Sequence, residues 1–75
     1  MEIKIIAFGQ IAQIIGKEIY VKATDLVSLK ITLQNHFPAL AEVKYAMAVN
    51  KKLVKENVNL TQNDTVALMP PYSGG

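Results

Sequence analysis

The chain has 75 residues, no cysteine and a formal charge of +2 from eight basic and six acidic residues. One domain of this length is near the lower limit for a self-sufficient core, so burial of its apolar residues, 51% of the chain, must hold it together without a disulfide. The composition excludes thiolate metal sites and a cysteine nucleophile.

Charge and apolar patterning exclude two further classes of partner. All eight basic residues are scattered lysines, and no arginine is present to contact phosphates or guanines with two hydrogen bonds. The apolar runs are far shorter than the roughly 20 residues that cross a membrane. A strand pattern starts at residue 2 without a small-residue cleavage site, so we expect no signal peptide. We predict a soluble, cytoplasmic domain that binds neither nucleic acid nor membrane.

Residues 2–22 predict two strands with a short connection. Residues 2–8 alternate and form a first strand with Ile3 and Ile5 on one face. Residues 9–16 are flanked by glycines and are interpreted as a loop with at most one helical turn. Residues 18–22 alternate again and predict a second strand.

A helix is predicted next. Thr24 or Asp25 is a suitable N-cap, and Pro38 disfavours helical geometry at the residue before it, so the helix should end near His36. Apolar residues recur at spacings of three, four and four, which places them on one face: Leu26, Leu29, Leu33 and Phe37. We expect this stripe to pack against the sheet.

The second half of the chain predicts three more short strands. The segments are a loop or short turn at 39–43, strands at 45–50, 53–54 and 65–69, and turns at 50–52 and 62–64. The order predicts an α+β domain with the β-grasp, or ubiquitin-like, fold: a mixed sheet of four to five strands with one main helix packed across it. The first and last strands should lie parallel and adjacent near its centre.

The last six residues predict a separate segment. They are Pro70, Pro71, Tyr72, Ser73, Gly74 and Gly75. Prolines hold φ near −65° and favour an extended run, and the two glycines have no side chains to obstruct a narrow channel. Six extended residues at roughly 3.1 Å each would carry the carboxylate about 18 Å from the domain. We therefore expect a domain at 1–69 and an extended, flexible tail at 70–75; a frayed end without a role is the alternative.

No conventional catalytic set accompanies this tail. His36 is the single histidine, without a cysteine or a suitable serine to build a triad, and the acids are too dispersed to predict a metal site or an acid/base pair. The chain is therefore not expected to be an enzyme on its own. The remaining candidate is the carboxylate of Gly75, which a partner that binds ATP would have to activate, for instance as an acyl-adenylate. A sulfur source could then convert it to a thiocarboxylate.

Three segments resemble one known family. Residues 8–16, the Ala48-Val49-Asn50 turn, and the ending Pro-Pro-x-Ser-Gly-Gly are similar to the small subunits of molybdopterin synthase, which are sulfur carriers of the ubiquitin-like class. The resemblance covers nearly the whole chain, and the proline pair before the two glycines is its most specific part.

The resemblance implies a function and its partners. An adenylyltransferase related to ubiquitin-activating enzymes would use ATP to adenylate Gly75, and a donor such as a cysteine desulfurase system would supply the sulfur that makes it a 1-thioglycine. The tail, residues 70–75, would enter the large synthase subunit and donate sulfur to cyclic pyranopterin monophosphate during molybdenum cofactor synthesis. A heterotetramer of two small and two large subunits is implied, and no cofactor is bound by this chain itself.

The resemblance also implies a partner interface. Phe8, Leu53 and Met69 stand where the family presents apolar side chains to its partners; ordinary strand residues are the alternative. The chain departs from the family at three positions that often carry charge and here do not: Gln10, Ala12 and Gln13. An ion pair with a partner at those positions is therefore not expected.

Three other functions stay open at this point. A thiamine-pathway sulfur carrier has similar chemistry, although Pro70 and Pro71 argue against it. A ubiquitin-like protein modifier would join Gly75 to lysines of other proteins. A plain β-grasp binding module would not need Gly75 at all.

Overall fold

The computed structural model describes residues 2–70. Within them the chain forms, in order, β1 (Glu2–Ala7), α1 (Gly9–Ile15), β2 (Glu18–Lys22), α2 (Leu26–His36), a 3₁₀ helix (Pro38–Glu42), β3 (Ala46–Val49), β4 (Lys52–Val54) and β5 (Thr65–Met69). The five predicted strands and the main helix are therefore present.

The five strands make one mixed sheet in the order β2-β1-β5-β3-β4. Strands β1 and β5 are parallel neighbours near the centre, with Ile5 opposite Val66, and the other pairs are antiparallel. The buried leucines of α2 share a core with the inward residues of β1 and β5: Ile3, Ile5, Leu26, Leu29, Leu33, Val66 and Leu68. This is the predicted β-grasp fold, which is confirmed.

Helix α2 begins and ends where the sequence predicts. Asp25 is the N-cap, and its carboxylate accepts a 2.8 Å hydrogen bond from the backbone N–H of Ser28. The Ser28 hydroxyl in turn accepts from the backbone N–H of Asp25 at 3.2 Å, which completes a capping box. The bond from the Ser28 backbone is the largest cause of the lowered pKa of Asp25. Phe37 closes the helix directly before Pro38.

The interpretation of residues 9–16 as a loop was wrong, because they form helix α1. Ile11 and Ile15 are four residues apart, so a helix places both on one face, and both are buried in the core. The glycines stand at the two ends of the helix and do not interrupt it, since Gly9 is its first residue and Gly16 is its C-cap with a φ of 97°. Burial of two isoleucines thus stabilises a helix too short to form alone.

Residues after α2 are also more ordered than a plain loop. The 3₁₀ helix buries Leu40, and the segment before β5 buries Leu60. The sequence predicted neither residue to lie in the core. The backbone N–H of Leu60 donates to the carbonyl of Thr24 at 2.8 Å, which fastens this segment beside the start of α2. Among residues 2–70, neither α-helix has the length and apolar character needed to span a membrane.

Candidate functional site

One face of the sheet lies away from α2 and has a shallow apolar depression. The strand register aligns a row across four strands on this face, with Ile6 opposite Ala67, Ala67 opposite Ala48 and Ala48 opposite Leu53. We call this surface the open face, and its apolar residues are Ile6, Phe8, Ala48, Leu53, Ala67 and Met69. The two alanines are small and lie on the central strands, so the row dips between Ile6 and Leu53 into a depression of about 600 Å³.

The three residues predicted to contact partners all lie on the open face. Phe8 follows β1, Leu53 belongs to the edge strand β4, and Met69 is the last residue of β5. Phe8 is 49% exposed and Leu53 is 67% exposed. Apolar side chains clustered around a concavity and left in water are typical of a protein interaction surface. Their role as partner contacts stays a prediction.

The carboxyl end of β5 is held beside the start of α1. The backbone N–H of Phe8 donates to the carbonyl of Leu68 at 3.1 Å. Gly9 has a φ of 60°, and a Cβ at this position would stand 2.9 Å from Cγ of Pro70, so glycine permits the close contact. The chain therefore leaves the sheet next to Phe8, at one end of the open face.

The tail residues were the central site predictions. Of these, Pro70 lies within the described residues and is exposed. Pro71, Tyr72, Ser73, Gly74 and Gly75 lie outside the described residues. The predicted insertion of the tail, the activation of Gly75 and the division of the chain at residue 70 therefore stay predictions.

A tight hairpin turn borders the other end of the depression. Strands β3 and β4 are joined by Asn50 and Lys51, whose φ angles are 51° and 74°. Positive φ at both central residues is typical of a type I′ turn, whose twist suits a two-residue hairpin. Asn50 tolerates this conformation well, whereas a lysine rarely adopts it.

The Asn50 side chain connects this hairpin to the start of β5. Its Nδ2 donates to Oδ1 of Asp64 at 2.8 Å, and its Oδ1 accepts from the backbone N–H of Thr65 at 3.0 Å. The other carboxylate oxygen of Asp64 accepts from the backbone N–H of Thr61 at 2.9 Å. The Thr61 bond, followed by the Asn50 bond, lowers the pKa of Asp64. The bridge keeps the hairpin in a set position relative to the open face.

Polar groups border the open face near β2. The ammonium of Lys4 lies 3.7 Å from the carboxylate of Glu18, and the hydroxyl of Tyr20 donates to the same carboxylate at 3.3 Å. Among residues 2–70 no three His, Asp or Glu side chains come together as a metal site requires. The described part of the site is therefore an apolar binding surface with polar groups at its border.

Sequence reasoning missed the floor of the depression and the bridge at its rim. Alanines at 48 and 67 carry no signal of function alone, and they matter because the register places them side by side. The pairing of Asn50 with Asp64 joins residues 14 apart. A hint was present, since an asparagine in a hairpin turn and an aspartate before a strand are both common hydrogen-bonding positions.

The sequence of this chain is similar to that of known proteins over nearly its whole length. A profile of the ThiS family matches residues 5–75. The molybdopterin synthase sulfur carrier subunit of Escherichia coli (strain K12) is 32% identical over an alignment 81 positions long, which covers 97% of this chain and 99% of that protein.

Solved structures of similar chains have the same fold. A chain in the complex of subunits 1 and 2 of molybdopterin-converting factor from Helicobacter pylori 26695 is 31% identical, with a TM-score of 0.75 and full coverage of both chains. Small archaeal modifier protein 1 from Methanosarcina acetivorans has a TM-score of 0.84 at 19% identity, covering 99% of this chain and 96% of that one. At 19% identity, the likeness to the archaeal modifier protein shows the fold alone.

Proposed function

The chain belongs to the ThiS family, and we propose that within this family it is the sulfur carrier subunit of a molybdopterin synthase. The observation that carries the proposal is the open face: an exposed apolar depression lies beside the point where β5 passes through Pro70 into a Gly-Gly terminus. A carrier needs both features, a surface that a partner can bind and a terminus that the partner can reach.

The similarity to the E. coli sulfur carrier subunit supports the choice among carriers. That similarity extends over 97% of this chain, and the proline pair before the glycines favours the molybdopterin pathway over a thiamine-pathway carrier. The archaeal modifier likeness stands at 19% identity, so it adds no support to a conjugating function.

The proposed chemistry takes place at Gly75. A carboxylate oxygen attacks the α-phosphorus of ATP in an adenylating partner, pyrophosphate leaves, and the glycyl adenylate is an activated acyl group. A sulfur donor then displaces AMP at the acyl carbon and leaves a thiocarboxylate. The thiocarboxylate is a sulfur nucleophile at neutral pH, and inside the large subunit it would transfer its sulfur to cyclic pyranopterin monophosphate.

The open face would act at each of these steps by docking. In the proposal Phe8, Leu53 and Met69 contact the partner and place the tail at the mouth of its active site. The similar H. pylori chain belongs to a complex of two subunits, which supports a large-subunit partner for this chain too. Because each cofactor needs two sulfurs, the carrier must dissociate and be recharged, which requires a face that is stable when free.

The test is the intact mass of the chain after incubation with its adenylating enzyme, ATP and a sulfide donor. We expect a gain equal to the exchange of one oxygen for sulfur, located at Gly75 by fragmentation. A variant with one alanine added after Gly75 is the matched control, because it keeps residues 1–75 but moves the carboxylate.

Three outcomes would contradict the proposal. A wild-type chain that stays unmodified, while a known carrier is charged in the same reaction, would remove the sulfur-carrier function. Equal charging of the extended variant would show that the position of the carboxylate is unimportant. Charging followed by attachment to lysines of other proteins, with no sulfur transfer to the large subunit, would favour the protein modifier.

A further inference from the structure

Lys51 occupies a backbone conformation that lysine disfavours. It is the second central residue of the β3–β4 turn, where its φ is 74°. Type I′ turns strongly prefer glycine at this position, because a Cβ is strained there by contact with the backbone. A strained residue in a turn that glycine would fit better indicates a use for the side chain.

The position of Lys51 suggests what that use is. Its side chain is exposed and lies at the rim of the depression, opposite the edge formed by Ile6 and Phe8. The bridge from Asn50 to Asp64 and Thr65 holds the turn, so the direction in which Lys51 projects is set by the fold.

The charged groups around the open face differ in whether they have a partner within residues 2–70. Near β2, the ammonium group of Lys4 lies 3.7 Å from the carboxylate of Glu18. Both carboxylate oxygens of Asp64 accept hydrogen bonds from Asn50 and Thr61. Within residues 2–70 no carboxylate makes an ion pair with Lys51. An ammonium group thus stands beside an apolar concavity, where a docked protein would partly exclude water.

We infer that Lys51 is a polar anchor of the open face, which forms an ion pair with a carboxylate that the large synthase subunit presents at the rim of the depression. The inference rests on the proposed function, because it takes the large subunit as the occupant of the open face. The inference predicts that the large subunit has an apolar projection that fits into the depression and an acidic residue beside that projection. Rim ion pairs of this kind chiefly govern the association rate and its salt dependence.

The experiment measures the affinity of this chain for the large subunit from the same organism, at low and at high salt, with Lys51→Gln, Lys51→Arg and Lys51→Gly. Lys22→Gln is the matched control, since Lys22 is an exposed lysine on β2 at the far edge of the sheet. Melting temperatures are measured for every variant, because they separate binding from folding.

We expect Lys51→Gln to weaken binding about two- to fivefold at low salt, as for a partly exposed ion pair, and the difference should vanish at high salt. Lys51→Arg should retain the affinity. Lys51→Gly should lose as much affinity as Lys51→Gln, while its melting temperature stays equal to that of the wild type or rises by up to about 5 °C as the strain is relieved. Lys22→Gln should bind like the wild type.

The anchor is contradicted if Lys51→Gln binds as tightly as the wild type at low salt, or if its loss persists unchanged at high salt. In either case the wild type still binds and the proposed function stands. A wild-type chain that does not bind the large subunit at all would overturn both.

Discussion

The two faces of the sheet use the same strands for opposite purposes. On the face covered by α2, alternate strand residues are large and fully buried, as are Ile5 and Val66. On the open face the apolar residues are small, as is Ala67, half-buried, as is Ile6, or exposed, as is Leu53. The contrast indicates that one face supplies the stability of the domain, so the other can keep an apolar surface free for a partner.

The largest expected effect breaks the covered face. Leu29 is fully buried on α2, so Leu29→Ala removes packed methyl groups and should lower the free energy of unfolding by about 2–5 kcal/mol, a large share of the stability of so small a domain. Leu53→Ala makes the same chemical change at a side chain that is 67% exposed and should cost less than about 0.5 kcal/mol. Urea unfolding of both variants measures the difference.

Equal losses in the two variants would contradict the division of roles between the faces. If Leu29→Ala is too unstable to give a folded baseline, Leu33→Ala and Leu29→Val test the same core with a second residue and a smaller cavity. Both should still unfold at a lower urea concentration than Leu53→Ala.

The next effect concerns binding to a partner, for which side chains of the open face should matter more than those on the side of α2. Leu53→Ala and Phe8→Ala should each weaken binding to the large subunit by about tenfold, the cost expected where an apolar side chain is a hot spot of an interface, without a matching loss of stability. Ile31→Ala is the control: Ile31 is 56% exposed on α2, away from the open face. Calorimetric titration measures the three affinities. Affinity losses that are the same for Ile31 and Leu53 would show that the open face is not the interface.

The smallest expected effect is a dependence of stability on pH, to which one carboxyl group on each side of the sheet contributes. Asp25 caps α2 on the covered side and Asp64 holds the hairpin beside the open face, and hydrogen bonds lower the pKa of each from its ordinary value of 3.8. The unfolded chain therefore binds more protons than the folded chain, so the free energy of unfolding rises with pH in the acid range. The stability is fully present above the ordinary pKa of 3.8 and is lost as pH falls through the lower pKa values of the folded state.

Urea midpoints measured from about pH 2 to pH 6 test this dependence. Asp25→Asn and Asp64→Asn should each be less stable than the wild type above pH 3.8 and should lose less stability on acidification. If the acid slopes of both variants equal that of the wild type, other groups cause the acid unfolding.

The sequence predicted the open face in part. The alternation of β1 places Phe8 on the face opposite Ile3 and Ile5, and the family resemblance singled out Leu53 and Met69. Nothing local in the sequence indicates that these three residues would surround one depression. Their proximity depends on the strand order, which brings β1, β5, β3 and β4 together from positions far apart in the chain.

Helix α1 illustrates the opposite case, in which a local interpretation was wrong. A helix of seven residues that begins at one glycine and is capped by another has little stability of its own, so a loop was the reasonable prediction. The core supplied the missing free energy through Ile11 and Ile15. In the folded chain the first residue of this helix, Gly9, lies against Pro70, just after the end of β5.

Local patterns were enough to predict the strands, the main helix with its Asp25 cap and the β-grasp order, because periodicity, capping and turn preferences act over a few neighbouring residues. The depression between Ile6 and Leu53, the bridge from Asn50 to Asp64 and the place of Lys51 at the rim are visible only in the folded chain. Those features arise from strand register and long-range packing, in which a residue's surroundings come from distant parts of the chain.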